Sequence, residues 1–170
     1  MAQDEHGITQ WQRIWTPHRK QYLTTEAGNF DDESCPFCRA REGESDLVVI
    51  RRSNAFVVLN KYPYNTGHLL ICTNRHVAMY DELTDAEALD AQVLTQQAMR
   101  TLRRVAGCSG FNIGINQGKV AGAGIQGHFH QHVVPRWAHD SNFMPIVAGT
   151  KVLSELLEET RSLLLEHWSD

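Results

Sequence analysis

The stretch GHFHQHVVPRW, residues 127–137, carries three histidines on alternate positions, followed by two valines. Alternate side chains of a β-strand share one face, so a strand HFHQHVV (128–134) presents His128, His130 and His132 together. At about 3.3 Å per residue, the Cα atoms of His128 and His132 lie about 13 Å apart. That separation argues against one zinc ion held by all three imidazoles through bonds of about 2.0 Å. Neighbouring histidines, two residues apart, can still share one site or one substrate.

A solvated strand face is the simplest alternative, but it accounts for one exposed histidine better than for three in register. Imidazoles titrate near neutral pH, and one can attack phosphorus or accept a proton while its neighbour stabilises the developing charge. The preceding loop AGAGIQG (121–127) is rich in glycine. Glycine lets backbone N–H groups approach an oxyanion such as phosphate closely. The loop and the histidine row together favour phosphate chemistry.

The rest of the chain predicts an α+β domain with a mostly antiparallel sheet. TDAE (84–87) is a capping box that begins a long central helix, which ends near Gly107. Leucines near the C-terminus predict a second helix with one apolar stripe, which includes Leu153 and Leu156. Four further strands are expected at LVVI (47–50), NAFVVL (54–59), HLLIC (68–72) and FNIGI (111–115). We expect one domain over 1–170, with an N-terminal arm (1–34) that carries Trp11 and Trp15, a catalytic core (35–148) and a C-terminal helix (149–170).

Composition limits the class of protein. The 170 residues are 42% hydrophobic and 21% charged, with a net charge of −4, as expected for one globular domain. The charge balance predicts no nucleic-acid partner and no membrane partner, and no apolar run reaches the roughly 20 residues that span a bilayer. MAQDEHGITQWQ (1–12) has neither the basic nor the apolar region of a signal peptide. We therefore expect a cytoplasmic protein.

The motif CPFC, residues 35–38, predicts a metal or redox site, because disulfides are rare in the cytosol. A redox CxxC opens a helix within a βαβ unit. Here the motif follows the polar run NFDDES (29–34) and leads into CRAREGESD (38–46), which is charged and turn-rich. That context favours a metal site, with free thiols as the alternative.

HFHQHVV resembles the signature of the histidine triad family, His-x-His-x-His followed by hydrophobic residues. LNKYPYNTGHLLICTNRHV (59–77) is similar to the other characteristic block of that family, and WQRIWTPHRKQYL (11–23) to the N-terminal block of its bacterial branch. The resemblance covers nearly the whole chain. It implies an α+β fold of the histidine triad type and a homodimer. It also implies an enzyme that attacks the α-phosphate of dinucleoside polyphosphates such as diadenosine tetraphosphate.

The resemblance also implies roles for single residues. His130 is the implied nucleophile, which forms a nucleotidyl-histidine intermediate, and His132 faces the same phosphate and assists the leaving group. The implied substrate-binding residues are Asn60 and His68 on the nucleotide side, and Asn116, Gly124 and Gln126 near the phosphates. Many relatives carry a serine or threonine shortly before the triad, where this chain has Gly124, Ile125 and Gln126. Because of that departure, the resemblance does not decide which side chain contacts the phosphate.

Two cysteines alone leave zinc under-coordinated, so two further ligands are needed. Relatives that keep a CxxC motif imply a set of four: Cys35, Cys38, His76 and His128. Four protein ligands leave no open position, so the implied zinc is structural.

Several alternatives remain at this point. The acceptor is water or phosphate, and Trp137 after the triad resembles the phosphorylase-like relatives, which tilts the choice towards phosphate. A nucleoside phosphoramidate hydrolase and a zinc-stabilised nucleotide-binding module without turnover are the alternative functions. A sugar-phosphate nucleotidyltransferase is disfavoured, because His132 stands where those relatives carry glutamine.

Overall fold

The computed structural model describes residues 28, 30–138, 140 and 156–168. The N-terminal block 11–23, with Trp11 and Trp15, lies outside the described residues, as do residues 149–155 of the expected C-terminal helix. Five antiparallel strands form one sheet in the order β1-β2-β3-β5-β4. The strands are β1 (Val48–Arg51), β2 (Ala55–Leu59), β3 (Leu69–Thr73), β4 (Gly110–Ile115) and β5 (His130–Arg136).

Three α-helices accompany the sheet: α1 (Pro36–Glu42), α2 (Asp85–Ala106) and α3 (Leu157–His167). Short 3₁₀ turns lie at Tyr80–Glu82 and Lys119–Ala121. The predicted α+β class, with an antiparallel sheet, a long central helix and a C-terminal helix, is confirmed. Within the described ranges, no helix has the length and apolar character needed to cross a bilayer. The proposed division into arm, core and C-terminal helix stays a prediction.

The central helix α2 begins and ends where the sequence predicts. The Thr84 side chain accepts the N–H of Glu87, and the Glu87 carboxylate accepts the N–H of Thr84 at 2.9 Å. Gly107, with φ of 59°, adopts the left-handed conformation that ends the helix. Leu94 and Leu102 then pack against one face of the sheet in the main hydrophobic core.

Alternation along β5 separates the core from the other face of the sheet. Phe129 and Val133 pack in the core with α2, and the Gln131 side chain donates to the Thr95 hydroxyl of α2 at 2.7 Å. His130 and His132 therefore project from the opposite face. Helix α1 packs on that face in a second apolar cluster, so the triad lies under α1 and away from α2.

Two boundaries differ from expectation. CPFC opens helix α1, because Pro36 suits a first helical turn and Gly43, with φ of 105°, ends the helix after seven residues. The prediction of a purely turn-rich segment there was wrong, although β1 and β2 form an antiparallel hairpin and not a βαβ unit. The triad strand begins at His130, two residues late, because the Phe129 N–H donates to Val77 outside the ladder.

The predicted apolar stripe near the C-terminus is only partly confirmed. Leu164 is fully buried in the main core, but Leu156 is 65% exposed at the start of α3. Leu153 lies outside the described residues.

Replacing Glu87 with glutamine should lower the free energy of unfolding by about 2 kcal/mol near neutral pH. The buried Glu87 carboxylate receives two hydrogen bonds from Arg75, at 2.9 and 2.7 Å, besides capping α2. The Arg75 hydrogen bond is the main reason why the pKa of Glu87 falls from 4.5 to about 2. Because the folded pKa lies below the unfolded one, the contribution is full above about pH 5 and is lost as pH falls towards 2.

Urea unfolding at pH 7 and at pH 3 measures this effect. The difference between wild type and E87Q should be smaller at pH 3. Glu166→Gln, at an exposed position on α3, is the matched control and should change stability little. A pH-independent difference for Glu87→Gln would contradict the ion-pair explanation.

Replacing Gly67 with alanine should destabilise the protein by about 1–2 kcal/mol. Gly67 has φ of 74°, and a Cβ added there would lie 3.0 Å from Cδ2 of Leu102 in α2. Gly114→Ala is the control, since an added Cβ meets nothing within 4 Å and φ is unstrained. Equal melting temperatures for the two variants would contradict this reading of Gly67, the residue that leads into His68.

Candidate active site and metal centre

His130 is held so that one ring nitrogen faces away from the protein backbone. Its Nδ1 lies 2.8 Å from the carbonyl oxygen of His128. A carbonyl only accepts, so Nδ1 carries the proton and the lone pair is on Nε2. Burial lowers the pKa of His130, which favours the neutral ring at neutral pH. A neutral imidazole with a free Nε2 lone pair is a competent nucleophile.

His132 is oriented through His68, which is fully buried. The N–H of Tyr64 donates to Nδ1 of His68 at 3.0 Å, and the amide nitrogen of Asn60 lies 3.2 Å from the same atom. The proton of a neutral His68 is therefore on Nε2, which is 3.0 Å from Nδ1 of His132. His68 donates to that nitrogen, so a neutral His132 carries its own proton on Nε2.

The two histidines of this pair share an aromatic neighbour. The Tyr64 ring stacks on His68 at 4.8 Å and on His132 at 5.7 Å between centroids. The His132 ring in turn lies 5.3 Å from that of His130. The arrangement places an imidazole with a lone pair on Nε2 next to one whose Nε2 bears the proton.

A pocket on this face of the sheet collects most of the predicted substrate residues. Of these, Asn60, Asn116 and Gly124 line the pocket together with His130 and His132. His68 lies behind His132 and does not line it. The backbone N–H of Gln126 donates to Gly28 at 3.1 Å, and Gln126 is also absent from the lining.

Several lining residues escaped the sequence analysis. They are the apolar Pro36, Phe37, Ala40, Leu47, Val58, Leu59, Leu70 and Ile125, and the polar Ser45, Lys61, Tyr62 and Tyr64. Tyr64 lies between Asn60 and His68, and Phe37 lies inside CPFC. Their positions within these motifs could have indicated that they contribute to the site. Trp137 does not line the pocket; its indole N–H donates to the Ala106 carbonyl at the end of α2, at 2.9 Å.

The glycine-rich loop uses some of its N–H groups internally. Those of Gly122 and Ala123 donate to Lys119 and Gly118 within the loop, and that of Gln126 to Gly28. Among the residues that the structure describes, none accepts the N–H of Gly124 or Ile125. These two positions at the pocket wall are the loop's candidates for contact with an oxyanion.

The four predicted metal ligands form one buried cluster. Their ligand atoms all lie within 4.8 Å of one another. Nδ1 of His128 is 3.4 Å from Sγ of Cys35 and 3.5 Å from Sγ of Cys38, and Nδ1 of His76 is 3.3 Å from Sγ of Cys38. A tetrahedral zinc with Zn–S of about 2.3 Å and Zn–N of about 2.0 Å sets sulfur and nitrogen about 3.5 Å apart. The cluster thus has the spacing of a Cys₂His₂ zinc site.

Hydrogen bonding and burial also suit a cation. Nε2 of His128 lies 2.8 Å from the Thr73 carbonyl, so its proton is there and Nδ1 is free to ligate. Burial, above all, lowers the pKa of His128 to about 4, so the imidazole is neutral as a ligand must be. Burial and the neighbouring Cys35 raise the pKa of Cys38 to about 12. A bound dication reverses that preference by stabilising the thiolates.

The antiparallel sheet, the His130–His132 pair and the pocket with its glycine-rich loop define an α+β protein of the histidine triad class. The family model of the HIT domain matches residues 41–139. The chain is 41% identical over 167 residues to the AP-4-A phosphorylase of Mycobacterium tuberculosis, covering 94% of this chain and 86% of that one. The chain belongs to the HIT family. Cys35 and Cys38 precede the range that the family model matches.

Two further comparisons extend this result. The asymmetrical bis(5'-nucleosyl)-tetraphosphatase of Schizosaccharomyces pombe is 34% identical over 100 residues, which cover 59% of this chain and 53% of that one. A solved structure of a Zn-bound histidine triad family protein from Mycobacterium smegmatis superposes with a TM-score of 0.67. That alignment covers 81% of this chain and 95% of the other at 24% identity, and it supports the fold.

Proposed function

We propose that this protein is a histidine triad enzyme that cleaves dinucleoside polyphosphates of the diadenosine tetraphosphate type at an α-phosphorus. The observation that carries the proposal is the buried His130, whose Nε2 bears a lone pair and whose ring lies 5.3 Å from that of His132 in a pocket that both residues line. The names of the curated relatives from Mycobacterium tuberculosis and Schizosaccharomyces pombe support this class of enzyme and substrate.

In the first step, Nε2 of His130 attacks the α-phosphorus. A phosphorus–nitrogen bond forms while the bond from phosphorus to the bridging oxygen breaks, and the departing nucleotide takes the proton from Nε2 of His132. The proton stays on Nδ1 of His130 and is donated to the His128 carbonyl, which stabilises the positive charge that develops on the ring. Asn116 and the N–H groups of Gly124 and Ile125 are positioned to bind the phosphoryl oxygens.

In the second step, an acceptor attacks the nucleotidyl-histidine. His132 removes the acceptor's proton, the phosphorus–nitrogen bond breaks, and His130 regains its lone pair. Water as acceptor yields AMP, and phosphate yields ADP. We favour phosphate, because the relative that is 41% identical is named a phosphorylase. Trp137 no longer argues for it, since the indole contacts Ala106 and not the pocket.

Product analysis of diadenosine tetraphosphate, incubated with the protein in the presence and absence of inorganic phosphate, tests this proposal. We expect ADP and ATP with phosphate and little turnover without it. AMP and ATP under both conditions would identify a hydrolase instead. Absence of turnover under both conditions would overturn the proposal, and turnover of an adenosine phosphoramidate in its place would identify the phosphoramidate hydrolase.

We further propose that Cys35, Cys38, His76 and His128 hold one structural zinc ion. When bound, the metal would cross-link α1 to the segment after β3 and to the residues just before β5, and its four protein ligands would leave no open position for the chemistry at phosphorus. We also propose that the protein works in the cytoplasm, where cysteines stay reduced and can bind a metal.

The homodimer that the family resemblance implies also stays a proposal. Its support is that β4 is an edge strand of the sheet with three consecutive exposed residues, including Ile113 at 46% exposure. Among the described residues β4 has a neighbouring strand on one side only, and an edge of this length is suited to pairing with a second copy. Sedimentation of wild type and Ile113→Lys, with a smaller species expected for the variant, tests the interface.

A further inference from the structure

The CPFC motif serves two sites at once. Its outer residues, Cys35 and Cys38, belong to the metal cluster and are 0% and 2% exposed. Its inner residues, Pro36 and Phe37, line the nucleotide pocket. Adjacent residues of one short helix therefore face the metal site on one side and the pocket on the other.

Phe37 physically joins the two sites. Its ring lies 5.5 Å from that of the metal ligand His128 and 5.1 Å from that of the nucleophile His130. The backbone provides a second link, because the His128 carbonyl accepts the Nδ1 proton of His130 while the His128 side chain faces the cysteines. Displacing His128 or α1 would disturb the pocket wall and the nucleophile together.

Helix α1 depends on its tethers. Seven residues are too few for a helix to be stable by itself in water. Arg51 donates to the Ala40 carbonyl at 2.9 Å and Arg41 to the Asn74 carbonyl at 2.6 Å, and both arginines are at least partly exposed. The first turn of α1 forms the pocket wall, and ligation through Cys35 and Cys38 would attach that end of the helix to the buried metal site.

We propose that zinc and nucleotide bind cooperatively: filling the four-ligand site fixes Pro36 and Phe37 as a wall of the pocket and raises the affinity for a nucleoside 5'-phosphate. The inference rests on the proposed function and deepens it by assigning Phe37 as the residue that transmits the coupling. Linkage requires the effect to be reciprocal, so the nucleotide raises the affinity for zinc by the same factor. We expect a factor of about 10, within the range usual for coupled sites.

The test measures two affinities, for zinc and for AMP, on the whole 170-residue chain. Chelator competition gives the zinc affinity at increasing AMP, and calorimetry gives the AMP affinity of the zinc-loaded protein. We expect zinc to bind about tenfold more tightly with AMP, reaching a plateau as the AMP site saturates. In Phe37→Ala, which keeps all four ligands, the effect of AMP on zinc affinity should fall to less than about twofold, and Leu89→Ala, at an exposed position on α2, should retain it.

The outcomes separate this inference from the proposed function. Zinc affinity that is unaffected by AMP, although AMP binds the loaded protein, would overturn the coupling alone. If the zinc affinity keeps rising with AMP and never reaches a plateau, AMP binds only to the zinc-loaded protein. The metal-free protein would then have no pocket, and this result would overturn transmission through Phe37. AMP that fails to bind the loaded protein contradicts the proposed function, and the coupling with it.

Discussion

Replacing His130 with alanine is expected to lower turnover of diadenosine tetraphosphate by on the order of 10³-fold or more, with little change in the melting temperature. In the proposed mechanism, the substitution removes the Nε2 lone pair that attacks phosphorus, and no other imidazole among the described residues of the pocket has the same orientation. His132 receives the His68 hydrogen bond on Nδ1, and its Nε2 bears the proton. The lost hydrogen bond to the His128 carbonyl costs about 1 kcal/mol, so the fold survives.

Initial rates at saturating substrate, together with a thermal melt, measure both effects. His167→Ala is the matched control, because this imidazole lies on α3, with Nδ1 3.1 Å from the Leu163 carbonyl in its own helix. The control should keep full activity. A His130→Ala variant with more than about a tenth of the wild-type rate would contradict the nucleophile assignment.

Replacing His128 with alanine should differ from His130→Ala, because its main effects should be loss of bound zinc and of stability. Zinc content should fall from about one ion per chain to near zero, since three ligands remain and the Thr73 carbonyl loses its partner. We expect the free energy of unfolding to fall by about 3 kcal/mol, which is well below the metal-binding energy of small zinc domains. For a chain of this size, that loss lowers the melting temperature by about 6–12 °C.

Metal analysis of the purified variant and a thermal melt check this outcome. Cys108→Ser is the control, because Cys108 is buried in the main core and is not part of the metal cluster. Its zinc content should equal that of wild type. Zinc retained by His128→Ala at wild-type affinity would contradict the four-ligand assignment.

The ends of the central helix were predicted correctly, because they are determined by residues close together in the sequence. Thr84 and Glu87 mark the start of α2 and Gly107 its end, because capping depends on residues three to four apart. The metal set was predicted through the family resemblance, and the structure brings its members together although Cys35 and His128 are 93 positions apart. The placement of His130 and His132 on one face followed from the period of a strand.

The features that could not be predicted from the sequence depend on contacts between distant segments. The tautomer of His132 is set by His68, 64 positions away, and that of His68 by the backbone of Tyr64, so no spacing rule reveals either. Helix α1 was missed because its seven residues carry no apolar period of useful length. Trp137 looked functional beside the triad, yet its partner is the carbonyl at the end of α2.

The proposed mechanism requires the nucleotide to become covalently attached to His130, and mass spectrometry of the rapidly quenched enzyme detects such an intermediate. The protein is mixed with diadenosine tetraphosphate without phosphate, quenched under conditions that preserve phosphorus–nitrogen bonds, and digested. We expect an added adenylyl group on His130 in the wild type and none in His130→Ala. Turnover without any adduct, or an adduct on a different residue, would contradict the proposed mechanism.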